Sequence, residues 1–294
     1  MIIIAFHTNA FVWAGVTDLL AIADFAAASG FNALEVGPGI PLDEKVFRAA
    51  MDKVDINNFS YARNFIDDDQ DKARREKQEL FTRMRFAAGL GIRKFMFSTG
   101  ISQRLSMPES GGMDPLASIE PAIDFLNQTL ELAEQLGLTM MLENCPMYRN
   151  IATSPLMWTE IFNRIPSPRL GLCYDPSHFI WQMIDVYGPI REFGSRIRHI
   201  HLKDTELNCE LLNRIGILHN VGKEKGYFPY QWWRHTIIGG GEINWDRFKQ
   251  ELDKIHYQES FSFEMEDHQY ELDPKKVRQG LILQRKYLQD NWSI

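Results

Sequence analysis

Eight short apolar runs recur along this chain, and helical periodicity fills most of the gaps between them. The runs are IIIAF (2–6), FNALEV (31–36), VDINNF (54–59), IRKFMF (92–97), LTMMLE (138–143), RLGLCY (169–174), IRHIHL (197–202) and ESFSFE (259–264). Strands that alternate with helices are joined by parallel crossovers. Eight such units predict an α/β chain folded as a single (β/α)8 barrel, the TIM-barrel architecture, over residues 1–294. The alternative is an open doubly wound sheet. The helical segments 17–30 and 118–137 each end in glycine, as helix C-termini do, and 67–89 opens on DDDQD, which suits the positive end of a helix dipole. Further helices are read at 244–255 and 273–290. One stretch breaks the rhythm. Residues 205–243, after the seventh strand, show no clear periodicity and are expected to be a long loop insertion, a lid or an interface.

Composition narrows the partners. The net charge is −7, with no lysine- or arginine-rich run, so a nucleic-acid backbone is a poor partner. No stretch approaches the roughly 18 apolar residues of a membrane span. The opening MIIIAFHTNAFVWAG lacks a basic region and reads as a first strand. Three cysteines, Cys145, Cys173 and Cys209, form no CxxC pair and no disulfide framework, which points to a reducing, cytoplasmic setting.

The strand faces carry the chemistry. Side chains alternate along a strand with period two. In the seventh strand Arg198, Ile200 and Leu202 share one face, and His199, His201 and Lys203 share the other. The inner faces of four consecutive strands end in Glu143, Asp175, His201 and Glu264. Barrel enzymes build their sites at that rim. Three carboxylates converging there would repel one another and resist desolvation. One divalent ion relieves both problems. An oxygen-rich set with one imidazole suits Mn²⁺, Mg²⁺, Co²⁺ or Zn²⁺. The plain alternative is four unrelated strand-end polar groups.

These residues carry a resemblance. LEN (142–144), YDPSH (174–178), HIHLKD (199–204), GGGEINW (239–245) and FSFEME (261–266) resemble the xylose isomerase-like barrels, the superfamily of sugar phosphate isomerases and epimerases that also holds apurinic endonucleases. The resemblance implies that Glu143, Asp175, His201 and Glu264 hold the metal, and that His178 lies near substrate oxygens. FSTGIS after the fourth strand and HLKDTE lack the extra histidines of the endonucleases, so DNA cleavage is not expected.

The expected reaction begins at a metal-bound carbonyl of a carbohydrate. Loss of the neighbouring proton gives an enediolate. Glu143 and Glu264 are the expected catalytic pair, one removing the proton and the other returning it. Return to the opposite face makes an epimerase, and transfer to the next carbon an isomerase. Two alternatives stand: a 3-oxo-glycoside lyase that expels the anomeric group after C2 deprotonation, and a sugar-binding barrel without turnover. Glu35 and His7 end the second and first strands, where they either touch sugar hydroxyls or bond locally. Lys203 either pairs with Asp204 behind His201 or forms a plain salt bridge, and it too is a candidate for substrate contact. Only the resemblance suggests Arg214. GYFPYQWWRH (226–235) sets aromatics beside an arginine, as a lid, a packing flap or a contact in a homo-oligomer. GGGE at 239–242 lacks a GK[ST] ending and is read as a turn.

Overall fold

A computed structural model describes residues 2–107, 113–146, 150–217, 232–292 and 294. Eight parallel strands form the sheet: β1 (Ile3–Phe6), β2 (Ala33–Val36), β3 (Asp55–Tyr61), β4 (Lys94–Phe97), β5 (Thr139–Glu143), β6 (Leu170–Tyr174), β7 (Ile197–Leu202) and, after an insertion carrying β8 (Asp204–Leu207) and β9 (Trp233–Thr236), β10 (Ser260–Phe263). The order runs β1-β10-β7-β6-β5-β4-β3-β2. The ends of that row meet through a parallel bridge between His7 and Glu35, with Thr8 N–H donating to the Glu35 carbonyl at 2.9 Å. Asn32 closes the lower part of the seam. Its side chain accepts from Ile4 N–H at 2.7 Å and donates to the Ile2 carbonyl at 3.1 Å. The expected (β/α)8 barrel is the fold, and its seam closes beside the candidate site.

The helices follow their punctuation. Asp18, Asp43 and Asp69 each accept backbone N–H groups at the starts of Leu19–Ala28, Glu44–Met51 and Gln70–Gly89, satisfying donors a helix leaves orphaned. Gly137 ends Ile119–Leu136 in the left-handed conformation, φ 68°. The large apolar side chains between helices and sheet form one continuous core. Inside the barrel, Ala62, Met96, Met141 and Cys173 form a separate small layer, a floor beneath the rim.

Two register shifts alter the period-two reading. Between β2 and β3, Leu34 pairs with Ile56 but Glu35 pairs with Asn58, so Asn57 is extra. The bulge leaves Ile56 in the outer core and turns Asn58 inward. Between β6 and β7, Leu172 pairs with Ile197 but Cys173 pairs with His199. Arg198 is therefore not on the helix-facing side with Ile200. It lies over Gly171, where a Cβ would come within 2.6 Å of its Cγ, and beside Glu259 at 3.7 Å. Bulges redirect side chains in this way.

The described parts of the insertion, 205–217 and 232–243, are more ordered than the sequence suggests. β8 and β9 form an antiparallel ribbon in which Thr205 faces His235 and Leu207 faces Trp233, and a helix spans Cys209–Ile215. The first part of the aromatic segment, residues 226–231, lies outside the described residues. GGGE is a turn, as expected: Gly241 sits so close to Thr205 and Asp204 that a Cβ would come within 2.3 Å of the Thr205 carbonyl oxygen.

Candidate active site

The four strand-end residues meet. His201 Nδ1 lies 2.9 Å from Glu143 Oε1, 3.5 Å from Glu264 Oε2 and 4.0 Å from Asp175 Oδ2. All four side chains are buried. Donor atoms of Glu143, Asp175, His178 and Glu264 also lie within 4.8 Å of one another, so His178 joins the same cluster. Asp175 is held from two sides. Its Oδ1 accepts from Ser177 N–H at 2.9 Å and Ser177 O–H at 2.6 Å, while Asn144 exchanges two 2.8 Å bonds with its backbone. That leaves Oδ2 buried without a hydrogen bond, its near cation being Lys203 Nζ at 3.1 Å.

Glu35 and His7 have work inside the protein. One Glu35 oxygen accepts from both His199 Nε2–H and His201 Nε2–H at 3.0 Å each, and the other accepts from Asn58 at 2.8 Å. His7 Nδ1 accepts from Asn9 N–H at 3.1 Å, so its Nε2–H donates to Ser60 at 2.6 Å. Of the two readings, the structure shows local bonds for both residues, and Glu35 lies behind His201, where a carboxylate can orient a metal-binding imidazole. Because the proton on Nε2 serves Glu35, a neutral His201 turns its Nδ1 lone pair toward three carboxylates. That arrangement needs a proton or a cation.

The pKa shifts record the same crowding. Burial, reinforced by the charge of Glu264, pushes Glu143 up to about 7. Burial also raises Asp175. Burial would lower His201, but the nearby Cys173 sulfur and the charges of Glu35, Glu264 and Glu143 outweigh it, so His201 lies well above the usual imidazole range. Burial would raise Glu264, yet Lys203 and His201 hold it well below. Lys203 Nζ donates to Glu264 at 2.6 Å and Glu266 at 2.7 Å. Four carboxylates thus share one ammonium. Like charges about 4 Å apart still repel by roughly 4 kcal/mol at an effective dielectric near 20. Asp175 Oδ2 without a hydrogen bond, His201 Nδ1 set among three carboxylates and the crowding of negative charge fit a divalent ion.

Other expectations shift. Lys203 does not pair with Asp204. Asp204 turns away, accepting from Trp245 Nε1–H at 2.8 Å and Ile243 N–H at 3.2 Å, which ties the turn before the last repeat to the ribbon. His199 is the packed inner-face residue expected, and it also donates to Glu35. Arg214 is exposed on the helix Cys209–Ile215, outside the cluster. Sequence reasoning missed Asn58, hidden by the bulge, and His235, hidden in the stretch read as irregular. The alternation W-R-H-T was the available signal for the latter. All three cysteines are free, and no described helix is long and apolar enough to cross a membrane.

An eight-stranded barrel with a buried carboxylate–imidazole cluster at the C-terminal rim has the layout of a barrel enzyme, with residues there that could hold a metal ion. The family model of the xylose isomerase-like TIM barrel matches residues 23–287, and the chain belongs to that family. Among curated relatives, it is 27% identical over 274 residues to an inosose dehydratase of Mesomycoplasma hyopneumoniae, covering 87% of this chain and 82% of that one. It is 30% identical over 149 residues to the uncharacterized protein YfiH of Bacillus subtilis, spanning 50% of this chain and about half of that one, 46%. Among solved structures, L-ribulose 3-epimerase superposes with TM-score 0.72 at 17% identity, covering 100% of this chain and 95% of that one. IOLI protein with a bound zinc atom gives 0.71 at 16%, covering 99% and 98%.

Proposed function

We propose that this protein is a divalent-metal-dependent enzyme that moves a proton next to the carbonyl of a carbohydrate, as an epimerase or isomerase. The observation that carries the reading is His201 Nδ1 within 2.9–4.0 Å of three buried carboxylates, its Nε2 held on Glu35. Glu143, Asp175, His201 and Glu264 would hold the ion. When bound, it supplies Lewis-acid polarisation of a substrate carbonyl and an acidified neighbouring C–H.

The chain's own residues do the rest. Glu143 and Glu264 come from strands on different sides of His201, so their oxygens approach a bound substrate from two directions. One accepts the proton and the other holds one to return, a transfer that requires each to come within hydrogen-bond reach of the reacting carbon's proton. Lys203 steadies Glu264 and Glu266 and keeps that side of the site ordered. Burial of the cluster excludes water that would quench a carbanion.

A second reading is favoured by a specific observation. The similarity to inosose dehydratases spans most of the chain, and dehydration starts with the same proton abstraction. Elimination differs only in the step after it: a leaving oxygen departs with a proton, which the glutamate that took the first proton can give. A 3-oxo-glycoside would expel its anomeric group by the same step. Incubation of the Mn²⁺-loaded protein in D₂O with free ketoses, an inosose and a 3-oxo-glycoside separates the readings. Deuterium in an epimer or isomer supports the first, an unsaturated ketone the second. Neither exchange nor elimination with any of them sinks both.

A further inference from the structure

The ribbon made by the insertion carries a histidine whose free nitrogen faces the site. His235, on β9, is nine-tenths buried. Its Nδ1 lies 3.0 Å from Thr205 Oγ1, its cross-strand partner. Thr205 has a single hydroxyl hydrogen, and that hydrogen goes to the Ser177 carbonyl at 2.8 Å, because a carbonyl can only accept. Thr205 must therefore accept from His235, which places the proton on Nδ1 and leaves a lone pair on Nε2. That Nε2 is buried and has no hydrogen-bond partner. It lies 3.7 Å from Glu266 Oε2, the carboxylate held by Lys203 at 2.7 Å.

The ring is pinned. Trp233 meets it edge-on at 5.0 Å, and Trp181 stacks on Trp233 at 4.7 Å. His178 crosses it at 5.0 Å and 89°, and His178 belongs to the carboxylate cluster. Thr236 O–H donates to Asp267 at 2.9 Å, fastening the ribbon to the segment after β10. A buried polar atom held rigidly without a partner has a cost, and a ligand's donor removes it.

Resting on the reading of the site as one for carbohydrates, we infer that His235 Nε2 is a hydroxyl-recognition point, accepting a hydrogen bond from a substrate hydroxyl remote from the reacting carbons. The inference extends to substrate class. Among the described residues, the groups converging here are Nε2, which accepts, and the Glu266 carboxylate, which accepts from Lys203. A free hydroxyl has a hydrogen to donate. A phosphate monoester at neutral pH carries about −1.5 to −2 charge and offers acceptor oxygens, and Lys203 is already engaged by Glu264, Glu266 and Asp175. The site therefore takes an unphosphorylated polyol.

Calorimetry on the Mn²⁺-loaded protein with D-tagatose, L-ribulose, an inosose and D-tagatose 6-phosphate tests this beside His235→Phe and His235→Gln. Whichever free sugar binds the parent protein should bind His235→Phe about tenfold more weakly, the size of one neutral hydrogen bond. His235→Gln, which can present an oxygen near the Nε2 position, should recover most of the loss, and bound manganese should be unchanged in both. Equal affinity in parent and His235→Phe overturns the role of His235 while leaving the carbohydrate reading intact. Tighter binding of the phosphorylated sugar overturns the polyol assignment. Failure of every sugar to bind the parent overturns the carbohydrate reading itself, and this inference with it. Should His235→Phe not fold, ¹⁵N-histidine spectra of the parent decide: an unprotonated His235 Nε2 that shifts on sugar addition supports the inference, and a protonated one overturns it.

Discussion

The barrel holds two ion clusters, one at each end of the same strands. At the N-terminal end, Lys94 Nζ donates to Glu259 at 2.7 Å and to the Arg198 carbonyl at 3.0 Å, and the Arg198 guanidinium lies 3.7 Å from Glu259. Two cations face one carboxylate there, each a fifth to a third exposed, so water screens the imbalance. At the C-terminal rim four carboxylates face one ammonium and the His201 imidazole, and most of them are buried. The first cluster is complete as it stands and serves the scaffold. The second is incomplete, and its missing charge is what a metal ion would bring. Burial combined with unbalanced charge separates a site from a scaffold better than the presence of charged residues alone.

The largest expected break in that contrast comes from Glu264→Gln. Turnover of whichever substrate is found should fall by roughly 10²–10⁴-fold, with the circular dichroism of the parent retained. Parent-like activity would remove Glu264 from the reaction.

Next in size is the pH dependence of the metal-free protein. Glu143 has its folded pKa raised from 4.5 to about 7. A raised carboxyl stabilises the fold while it is protonated, and that contribution is lost as pH climbs from about 4.5 through 7. The shift sets an upper limit of about 3 kcal/mol. Denaturant melts of chelated protein between pH 5 and 8 should show this decline, and Glu143→Gln should flatten it. Saturating Mn²⁺ should offset it, since an ion at 100 times its Kd adds about 2.7 kcal/mol. A parallel pH slope in Glu143→Gln would place the imbalance elsewhere.

Smaller still is Glu35→Gln. Glu35 sits behind His201, so its loss should weaken Mn²⁺ binding by about 10–100-fold, read by competition with a fluorescent chelator. Unchanged affinity would make Glu35 a packing residue. The smallest effect is expected at the floor. Glu259→Gln should change stability by about 1 kcal/mol or less, as exposed ion pairs do, and leave metal affinity alone. A metal-affinity change there would erase the distinction between the two ends.

Much of this was legible in the sequence because period-two alternation reports the inner face of a strand wherever the ladder is regular. Glu143, Asp175, His201 and Glu264 lie on regular stretches, and they converge. Asn58 and Arg198 lie at bulges, where one extra residue reverses the face, and nothing in the local sequence marks that. His235 was missed for a different reason. Its strand is a short antiparallel ribbon, and only pairing with Thr205 turns WRHT into an ordered element.

The order of apolar runs, with helices between them, predicted a barrel ahead of an open sheet and put acidic side chains at its rim. Those properties depend on local periodicity, which the chain carries in itself. Which nitrogen of His201 faces the carboxylates, which Asp175 oxygen lacks a partner, and what Glu35 and His235 do were decided only by the closed structure. The bond from His201 to Glu35 exists only once the sheet has met itself at the seam. His235 is fixed by pairing with Thr205 across the ribbon, and Asp175 by the turn that folds Ser177 back onto it.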